Sequence, residues 1–412
     1  MLAFTFPGQG SQRRAMGAAW KDHPSFELVA QASEVTGRDV AQLLLEADQE
    51  TLTRTDNAQL ATFVQSLVVL DAAERVGLEP GACAGHSLGE YSALVASGAL
   101  DYEDALRLVQ ERGDAMQHAA EESPGTMAAV LGLDDDAVES ACLRAEGEVW
   151  VANFNAPGQV VIAGSLVAVA EAGRIARELG AKKVLPIPVG GAFHTPLMAP
   201  ARDRLRKALS STAFRVPEPP VVANVDARAH IDPEEWPRLL SAQLCSPVRW
   251  RHSFERLLSQ GAQTFAELGP GGVLTGLARK MLTGSDGLAI SVSTPDDLDK
   301  LIELLAGHGP AAHPLSEQRS GEAFHMSERL ILAPSAGLFE PEASLSSLVP
   351  GSPVAARRAV FIEVGALIGR VGDAEVRSAF GGSIEGVLVL PGERVTPGQP
   401  VAWLRAAGET AQ

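Results

Sequence analysis

The stretch GACAGHSLGEYSALVASGAL, residues 81–100, predicts the local fold and contains the strongest candidate for a catalytic residue. Small apolar residues precede a GxSxG motif at 85–89, and a helical pattern follows it. Glycines permit a sharp turn between a buried strand and a helix, and the turn would present the Ser87 hydroxyl at the helix N-terminus. The pattern therefore predicts Ser87 as a nucleophile; the alternative is a tight turn with an incidental serine.

The segments on both sides of this motif alternate short apolar runs with amphipathic helical patterns over residues 1–305. The run LAFTFPG at 2–8 is typical of a buried strand, and residues 58–78 have helical periodicity. Strands that alternate with helices of this length are typical of a mostly parallel sheet covered on both faces. Residues 126–188 show the order βαββαβ, which predicts a ferredoxin-like unit inserted into the larger α/β fold.

The C-terminal part of the chain has a different composition. Residues 306–326 are polar and rich in Gly, Ala and Pro, without an apolar period, and we predict a linker there. In residues 327–412, short Val, Leu and Ile runs are separated by Pro-Gly turns. This alternation predicts an all-β module.

Composition excludes several functional classes. The 412 residues carry a formal net charge of −17, and so acidic a surface disfavours general binding to nucleic acid or to anionic membranes. The three cysteines are far apart and show no metal-binding spacing, which predicts a reducing compartment. The N-terminus lacks the pattern of a signal peptide, and no apolar stretch reaches the roughly 20 residues of a membrane span. We therefore expect a cytoplasmic protein.

A serine nucleophile needs a base, and His194 is the best candidate among nine histidines. It follows a predicted strand on the Gly-rich loop 188–196, although a lone loop histidine is as often a plain surface residue. His86 adjoins Ser87 but would point away from it if it still belongs to the strand. An ordinary α/β-hydrolase places its acid and histidine late in the chain, where this sequence has histidines only in the predicted linker. This order weakens the ordinary hydrolase interpretation.

Ten collinear stretches resemble the malonyl-CoA:acyl carrier protein transacylases of fatty-acid synthesis and the related acyltransferase domains of polyketide synthases. The stretches are FPGQGSQ (6–12), TDNAQLA (55–61), GHSLGEYSALVASGAL (85–100), LVQERGDAMQ (108–117), GTMAAVLG (125–132), NFNAPGQVVIAG (153–164), PVGGAFHTPLM (188–198), ANVDA (223–227), QLCSPVRW (243–250) and ELGPGGVLTGL (267–277). The resemblance implies an α/β hydrolase-like core with an inserted ferredoxin-like subdomain. It also implies that neither a metal nor a cofactor is needed, because the thioester supplies the driving force.

The resemblance assigns roles to five residues of the reaction centre. Ser87 resembles the nucleophile that becomes acylated, and His194 resembles the base that later protonates the leaving thiol. The backbone N–H groups of Gln9 and Leu88 resemble an oxyanion hole. Arg112 resembles the clamp for the free carboxylate of a malonyl group.

The resemblance also covers residues around that centre. Gln243 resembles the residue whose backbone carbonyl orients the histidine, and Gln59, Asn155 and Gln159 match positions that line the acyl or pantetheine site. Phe193, just before the base, resembles the malonyl-type signature. Its ring would crowd an α-methyl group, which favours malonyl over methylmalonyl by a modest margin.

The residues around Arg112 agree with an inward role. Its neighbours one helical turn away are Leu108, Val109, Ala115 and Met116, and none of them is acidic. A guanidinium binds a carboxylate through two parallel hydrogen bonds, so a buried Arg112 would select dicarboxylic acyl groups.

An acidic carrier protein would also need a local basic patch on this chain. The densest basic cluster comprises Arg202, Arg204, Arg206 and Lys207. These residues could equally form a solvent-exposed helix face that binds no partner.

The tail resembles the biotinyl/lipoyl-type barrel-sandwich hybrid, most clearly in SAFGGSIEGVLVLPGERVTPGQPVAWLR. Such domains attach their cofactor to a hairpin lysine, and the corresponding stretch EVGALIGRVGDAEV (363–376) has none. The last lysine of the chain is Lys300. Because biotin and lipoate join through an amide to a lysine amine, we predict a module that carries no cofactor and has either a structural role or a docking role.

Three functions stay open at this point. The first is ping-pong transfer of malonyl from malonyl-CoA to the phosphopantetheine thiol of acyl carrier protein. The second is an acyltransferase subunit of a malonate decarboxylase or polyketide assembly, recruited through the tail. The third is a thioesterase in which water replaces the carrier thiol, and Arg112 and the GQGSQ motif disfavour it.

Overall fold

The computed structural model describes residues 1–307, 328–348, 360–363, 365–372, 374–378, 382–396 and 399–406. The chain forms two compact units, residues 1–311 and residues 312–412. Most of the predicted linker, 306–326, lies outside the described residues, and its first two residues complete the last helix of the first unit.

The first unit alternates helices and strands along the chain. Its helices are α1 (Glu27–Thr36), α2 (Val40–Leu45), α3 (Gln49–Thr53), α4 (Thr55–Arg75), α5 (Gly89–Ala96), α6 (Tyr102–Glu122), α7 (Asp135–Arg144), α8 (Leu166–Glu178), α9 (Ala199–Leu209), α10 (Trp236–Gln243), α11 (Trp250–Ser259), α12 (Val273–Met281) and α13 (Pro295–Gly307). Its strands are β1 (Leu2–Phe6), β2 (Ala82–Gly85), β3 (Thr126–Leu131), β4 (Val149–Ala156), β5 (Gln159–Gly164), β6 (Lys183–Ile187), β7 (Val221–Val222), β8 (Ala229–His230), β9 (Thr264–Leu268) and β10 (Leu288–Val292). Within the described part of the chain, no helix has the length and apolar composition that crossing a bilayer requires.

Six strands form the main sheet in the order β10-β9-β1-β2-β7-β8, and every pair is parallel except β7 with β8. Strand β1 shows why this sheet is buried on both faces. Phe4 and Phe6 pack into one hydrophobic core, while Ala3, the residue before Phe4, packs into a second core on the other face. Such a strand needs helices on both sides of the sheet. The predicted α/β class is confirmed.

A smaller antiparallel sheet, β4-β5-β3-β6, belongs to the same unit. Its elements follow one another along the chain in the order β3, α7, β4, β5, α8, β6. Strand residues such as Val130, Val160 and Ile162 pack with Val138 of α7 and Ile175 of α8 in a separate hydrophobic core. The smaller sheet therefore has a hydrophobic core of its own, separate from the cores of the main sheet.

The second unit is rich in β-structure. Its strands are β11 (Glu328–Leu332), β12 (Gly337–Pro341), β13 (Val360–Ile362), β14 (Leu367–Val371), β15 (Ala374–Arg377), β16 (Gly382–Val387), β17 (Glu393–Val395) and β18 (Pro400–Ala406). They form two four-stranded antiparallel sheets, β11-β18-β16-β13 and β15-β14-β12-β17. Phe339, Ile368 and Leu404 belong to a core that both sheets share. Strands β14 and β15 form a hairpin that overlaps the stretch 363–376, of which residues 364 and 373 lie outside the described residues.

The first turn of α5 lies unusually close to the end of β1. A Cβ placed on Gly89 would lie 2.1 Å from the carbonyl oxygen of Phe6. A Cβ on Gly85 would lie 1.9 Å from the backbone of Gly89. Backbone atoms cannot yield as the end of a flexible side chain can, so both motif glycines are required for this packing.

Gly89→Ala is therefore expected to destabilise the fold, because the added methyl group would force α5 away from β1. We expect a loss of about 1–3 kcal/mol in the free energy of unfolding. The matched control is Gly276→Ala, at an exposed position within α12 where a Cβ would meet open space. There the helix propensity of alanine should add up to about 1 kcal/mol. Chemical denaturation measures both changes, and equal stability of the two variants would contradict the prediction.

Candidate active site

Ser87 lies on the turn between β2 and α5 with a backbone φ of 53°, in the left-handed region that residues other than glycine rarely adopt. Such a conformation costs about 1–3 kcal/mol and needs support from its surroundings. Asn224, which follows β7, provides that support. Its Oδ1 accepts the backbone N–H of Ser87 at 2.7 Å, and its Nδ2 donates to the carbonyl oxygen of Gly85 at 2.7 Å. The strained turn is thus held from the neighbouring strand.

His194 comes from the loop after β6 and places its ring beside the Ser87 hydroxyl. Its Nε2 lies 2.8 Å from Ser87 Oγ, and its Nδ1 lies 2.8 Å from the backbone carbonyl oxygen of Gln243. Because a carbonyl oxygen can only accept, Nδ1 carries the proton and Nε2 is free to accept one from the hydroxyl. The end of α10 therefore orients the imidazole as a carboxylate does in a catalytic triad.

Burial keeps the imidazole of His194 neutral. Its removal from water, reinforced by the positive charge of Arg112, lowers the pKa of His194 to about 3. A neutral ring can accept the Ser87 proton throughout the physiological pH range. An anion that offsets the charge of Arg112 would remove part of this lowering and make the ring a stronger base.

Arg112 is 1% exposed although its guanidinium is always charged. Its Nη1 donates to Gln59 Oε1 at 2.5 Å, and its Nη2 donates to Ser87 Oγ at 3.0 Å and to Gln243 Oε1 at 2.9 Å. All three acceptors are neutral, and no carboxylate in the described part of the chain forms an ion pair with it. A buried cation is costly without a counter-ion. The site is therefore prepared to receive an anion next to the Ser87 hydroxyl.

Helix packing places Gln59 opposite Arg112. A Cβ on Gly113 would lie 3.1 Å from Cα of Asp56, so the glycine that follows Arg112 allows α4 and α6 to approach closely. The Nε2 of Gln59 donates to the sulfur of Met116 at 3.2 Å, which leaves its carbonyl oxygen directed at the guanidinium. The two helices thus fix both the position and the orientation of the amide.

A cavity of about 210 Å³ opens in front of the Ser87 hydroxyl. Of the predicted site residues, its wall contains Gln9, Ser87, Asn155, Gln159, Phe193 and His194. The other four predicted residues are buried and do not line this cavity, and they are Gln59, Leu88, Arg112 and Gln243. Six of the ten therefore line one cavity, and Arg112, with its acceptors Gln59 and Gln243, is joined to that cavity through its hydrogen bond to Ser87 Oγ.

Two backbone segments meet beside the nucleophile. The loop after β1 carries Gln9, and a Cβ on the preceding Gly8 would lie only 2.5 Å from the carbonyl oxygen of His86. Leu88 is the N-cap of α5, where backbone N–H groups have no acceptor within the helix. Gln9 and Leu88 thus lie where N–H groups could stabilise an oxyanion next to Ser87.

His86 does not meet the condition under which it would point away from Ser87. Strand β2 ends at Gly85, so His86 belongs to the turn, and it lines the cavity. Its Nε2 lies 3.0 Å from Asn155 Oδ1, and burial lowers the pKa of its imidazole.

Gln159, on the same hairpin as Asn155, accepts a hydrogen bond from the exposed Lys280 at 2.7 Å. The hairpin therefore contributes two amide groups to the wall.

Sequence reasoning misses two buried polar residues of the site, Glu90 and Asn224. Both stand in quoted motifs, since Glu90 follows GxSxG directly and Asn224 is the second residue of ANVDA. The carboxylate of Glu90 accepts the backbone N–H of Asn224 at 2.8 Å. Only the pairing of β2 with β7 brings residues so distant in the sequence together, so local spacing contains no signal for this contact.

The predicted basic cluster on α9 is partly neutralised. Arg204 donates two hydrogen bonds to the carboxylate of Glu111, and Arg202 is paired with Asp203. Two of the four cations therefore already have acidic partners. The cluster is a weaker candidate for a carrier-protein surface than its composition suggests.

Comparison with known proteins agrees with this geometry. The family model described as acyl transferase domain matches residues 3–295. The malonyl CoA-acyl carrier protein transacylase of Bacillus subtilis (strain 168) is 40% identical over 309 residues, which are 74% of this chain and 97% of that protein. The enzyme of the same name from Escherichia coli (strain K12) is 43% identical over 286 residues, with coverages of 68% and 93%.

Solved structures give the same result. The acyl-carrier-protein S-malonyltransferase of Burkholderia pseudomallei 1710b has a TM-score of 0.71 and 40% identity, covering 73% of this chain and 99% of its own. A chain from a type II PKS acyl-carrier protein in complex with its malonyl-transacylase has a TM-score of 0.71 and 39% identity, with coverages of 74% and 99%. Since these matches span nearly whole relatives, the chain belongs to the malonyl-CoA:acyl carrier protein transacylase family.

Proposed function

We propose that this chain transfers the malonyl group from malonyl-CoA to the phosphopantetheine thiol of acyl carrier protein through a malonyl-Ser87 intermediate. The observation that supports this most directly is the position of Ser87 Oγ. It lies 2.8 Å from Nε2 of His194 and 3.0 Å from Nη2 of Arg112. A nucleophile thus stands between a neutral base and a fixed positive charge, which suits a short acyl group that ends in a carboxylate.

In the first half-reaction, Ser87 Oγ attacks the thioester carbonyl carbon while Nε2 of His194 takes the hydroxyl proton. The tetrahedral oxyanion would be stabilised by backbone N–H groups of Gln9 and Leu88. The carbon–sulfur bond then breaks, and the imidazolium returns its proton to the departing thiolate. Coenzyme A leaves as the free thiol, and malonyl remains on Ser87 as an ester.

The second half-reaction uses the same groups in reverse order. His194 accepts the proton of the carrier thiol, and the sulfur attacks the ester carbonyl carbon. The bond to Ser87 Oγ breaks, and the imidazolium reprotonates the serine. Over a full turnover one thioester is replaced by another through the ester intermediate, so proton transfer and positioning carry the catalysis.

Arg112 would select the acyl group through the cost of leaving its charge unpaired. A malonyl carboxylate can take two parallel hydrogen bonds from the guanidinium, whereas an acetyl group offers none. Phe193 on the cavity wall is 5% exposed, and its ring would crowd an α-methyl substituent. Gln59 would hold the guanidinium in place, and Asn155 and Gln159 would contact the pantetheine arm.

We further propose a finer description of the architecture. The parallel sheet with its sharp strand-to-helix turn supports an α/β hydrolase-like core, and the order of elements in 126–188 supports a ferredoxin-like subdomain within a domain spanning 1–305. The two antiparallel sheets support a biotinyl/lipoyl-like module in 327–412, which the sequence shows to lack an acceptor lysine. A cytoplasmic location is proposed as well, motivated by three unpaired cysteines.

The alternative of an acyltransferase subunit within a malonate decarboxylase or polyketide assembly rests on this module. The family match ends at residue 295, so the module adds something that the acyltransferase domain does not supply. Docking of a partner through 327–412 is the corresponding proposal. Co-purification with and without these residues tests it, and unchanged partners would remove it.

The proposed transfer is tested with radiolabelled malonyl-CoA, with and without carrier protein that bears its phosphopantetheine arm. We expect label on the wild-type enzyme after denaturation, movement of that label to the carrier, and no label on Ser87→Ala. Intact-mass analysis of the same samples identifies the ester. Release of free malonate at one rate in both samples, without labelled carrier, would indicate a thioesterase instead.

Arg112→Ala should reduce kcat/KM for malonyl-CoA by about 150- to 5000-fold, because loss of one partner of a buried ion pair costs about 3–5 kcal/mol. Acylation by acetyl-CoA should change far less. The matched control is Arg107→Ala on the same helix, an exposed residue that pairs with Glu103 and Asp104. It should leave both rates within about twofold. Equal losses for the two thioesters in Arg112→Ala would contradict the carboxylate clamp.

The neutral His194 predicts an unusual pH dependence. Its pKa is lowered to about 3, so protonation should remove the base only as pH falls towards that value. The rate at which a neutral sulfonyl fluoride modifies Ser87 should therefore stay constant between about pH 5 and 8. An imidazole at its ordinary pKa of about 6.5 would lose half of that rate near pH 6.5. Pseudo-first-order inactivation kinetics distinguish these outcomes.

A further inference from the structure

Glu90 is a buried acid that has no role in the mechanism described above. It lies in the first turn of α5, three residues after the nucleophile, and its side chain is 1% exposed. One carboxylate oxygen accepts the backbone N–H of Asn224 at 2.8 Å, and the other accepts an N–H of the Gln243 side chain. Both partners are neutral. A carboxylate in this position is costly to bury, so it invites an explanation.

The side-chain amide of Gln243 has only one satisfactory orientation. Its Nε2 faces acceptors, namely the carbonyl oxygen of Ser87 at 2.8 Å, the carboxylate of Glu90 and Asn224 Oδ1 at 3.3 Å. Its Oε1 accepts from Nη2 of Arg112 at 2.9 Å. If the amide were turned over, donors would face Arg112 and an oxygen would face the carboxylate. The charge of Glu90, together with the carbonyl oxygen of Ser87, therefore holds the amide oxygen towards the guanidinium.

This arrangement links two buried charges through one amide. Arg112 lies at the oxygen end of the Gln243 amide, and Glu90 lies at its nitrogen end. The amide dipole is aligned with both charges, and such an alignment is strengthened in a medium of low dielectric constant. Glu90 therefore helps to direct the guanidinium towards Ser87 Oγ, although Glu90 and Arg112 form no ion pair.

We propose that Glu90 is a positioning residue that sets the selectivity for anionic acyl groups by locking the Gln243 amide and thereby aiming Arg112. The proposal rests on the proposed malonyl transfer. Glu90 is not a catalytic residue, because its carboxylate hydrogen-bonds to Asn224 and Gln243 and to neither the Ser87 hydroxyl nor the His194 ring. Substitution of Glu90 should slow acylation of Ser87 by thioesters whose acyl group binds the guanidinium. It should leave acylation by other thioesters nearly unchanged.

A purely structural role makes a different prediction. Through Asn224, Glu90 also supports the strained turn at Ser87, and loss of that support would slow every acylation alike. The informative quantity is therefore the ratio of kcat/KM for malonyl-CoA to kcat/KM for acetyl-CoA. Acylation of Ser87 by each thioester is followed by rapid quenching and intact-mass analysis of the full chain.

The decisive variant is Glu90→Gln. The backbone N–H of Asn224 cannot turn, so it keeps the single oxygen of the new amide, and the new NH₂ group then opposes the NH₂ group of Gln243. We expect the Gln243 amide to turn away from this opposing NH₂ group, against the remaining hydrogen bond to the carbonyl oxygen of Ser87, and the turn takes its oxygen away from Arg112. We expect the malonyl-to-acetyl ratio to fall about 10- to 100-fold, since a buried donor left unpaired costs about that factor. Glu90→Asp keeps the charge and should retain more of the ratio than Glu90→Gln.

The matched control is Glu267→Gln. Glu267 is also buried, but its carboxylate accepts the N–H groups of Leu274 and Thr275 at the start of α12. Loss of that carboxylate should affect both thioesters by the same factor and leave their ratio unchanged. An equal fall for both thioesters in Glu90→Gln, or an unchanged ratio, would overturn the proposal.

If Glu90→Gln does not fold, the pH dependence of the malonyl-to-acetyl ratio of the wild-type protein tests the role of Glu90. Burial raises the pKa of Glu90 to about 7, while the charge of Arg112 opposes this rise and that of Asp226 adds to it. Glu90 is ionised above this value and protonated below it. The malonyl-to-acetyl ratio should therefore fall as pH falls through about 7. His194 and the coenzyme phosphates act on both thioesters and cancel in the ratio, and Tyr91, whose pKa burial raises, stays protonated.

The outcomes separate this proposal from the function on which it rests. A wild-type protein that forms no malonyl-enzyme would refute the proposed transfer. A wild-type protein that forms it with a ratio independent of pH, or a folded Glu90→Gln variant with the wild-type ratio, would refute only the role of Glu90.

Discussion

The buried charge of Arg112 is the constraint on which the rest of the site depends. A guanidinium withdrawn from water and given only neutral acceptors carries an electrostatic cost that an incoming anion can relieve. The same charge helps to keep His194 neutral, and one of its N–H groups reaches the Ser87 hydroxyl. Nucleophile, base and acyl recognition are thus coupled through one side chain rather than assembled from independent parts.

Much of this arrangement can be predicted from local sequence. The apolar run before GHSLG and the helical pattern after it predict the turn that carries Ser87, and apolar residues at successive strand positions predict a sheet buried on both faces. The absence of acidic neighbours one turn from Arg112 indicates its inward orientation. In each case the physical signal lies within a few residues, where periodicity and turn chemistry act.

The parts that could not be predicted depend on long-range pairing. The contact between Glu90 and Asn224 requires β7 to lie beside β2, and the neutralisation of Arg204 by Glu111 requires α9 to lie along α6. The direction of His86 stayed conditional on where β2 ends, because strand ends are poorly specified by propensity. In the second unit, Pro-Gly turns predict strands, but they do not determine which strands become neighbours in the two sheets.

The supports of the strained turn have a consequence for biosynthesis. Ser87 meets its base across 107 residues, its Asn224 support across 137 and the Gln243 amide across 156. Contacts of such separation form late, because chain closure must precede them. A ribosome that has produced the nucleophile has therefore produced only an ordinary, unreactive serine. Reactivity towards thioesters arises once the first unit is nearly complete, so truncated nascent chains are protected from premature acylation.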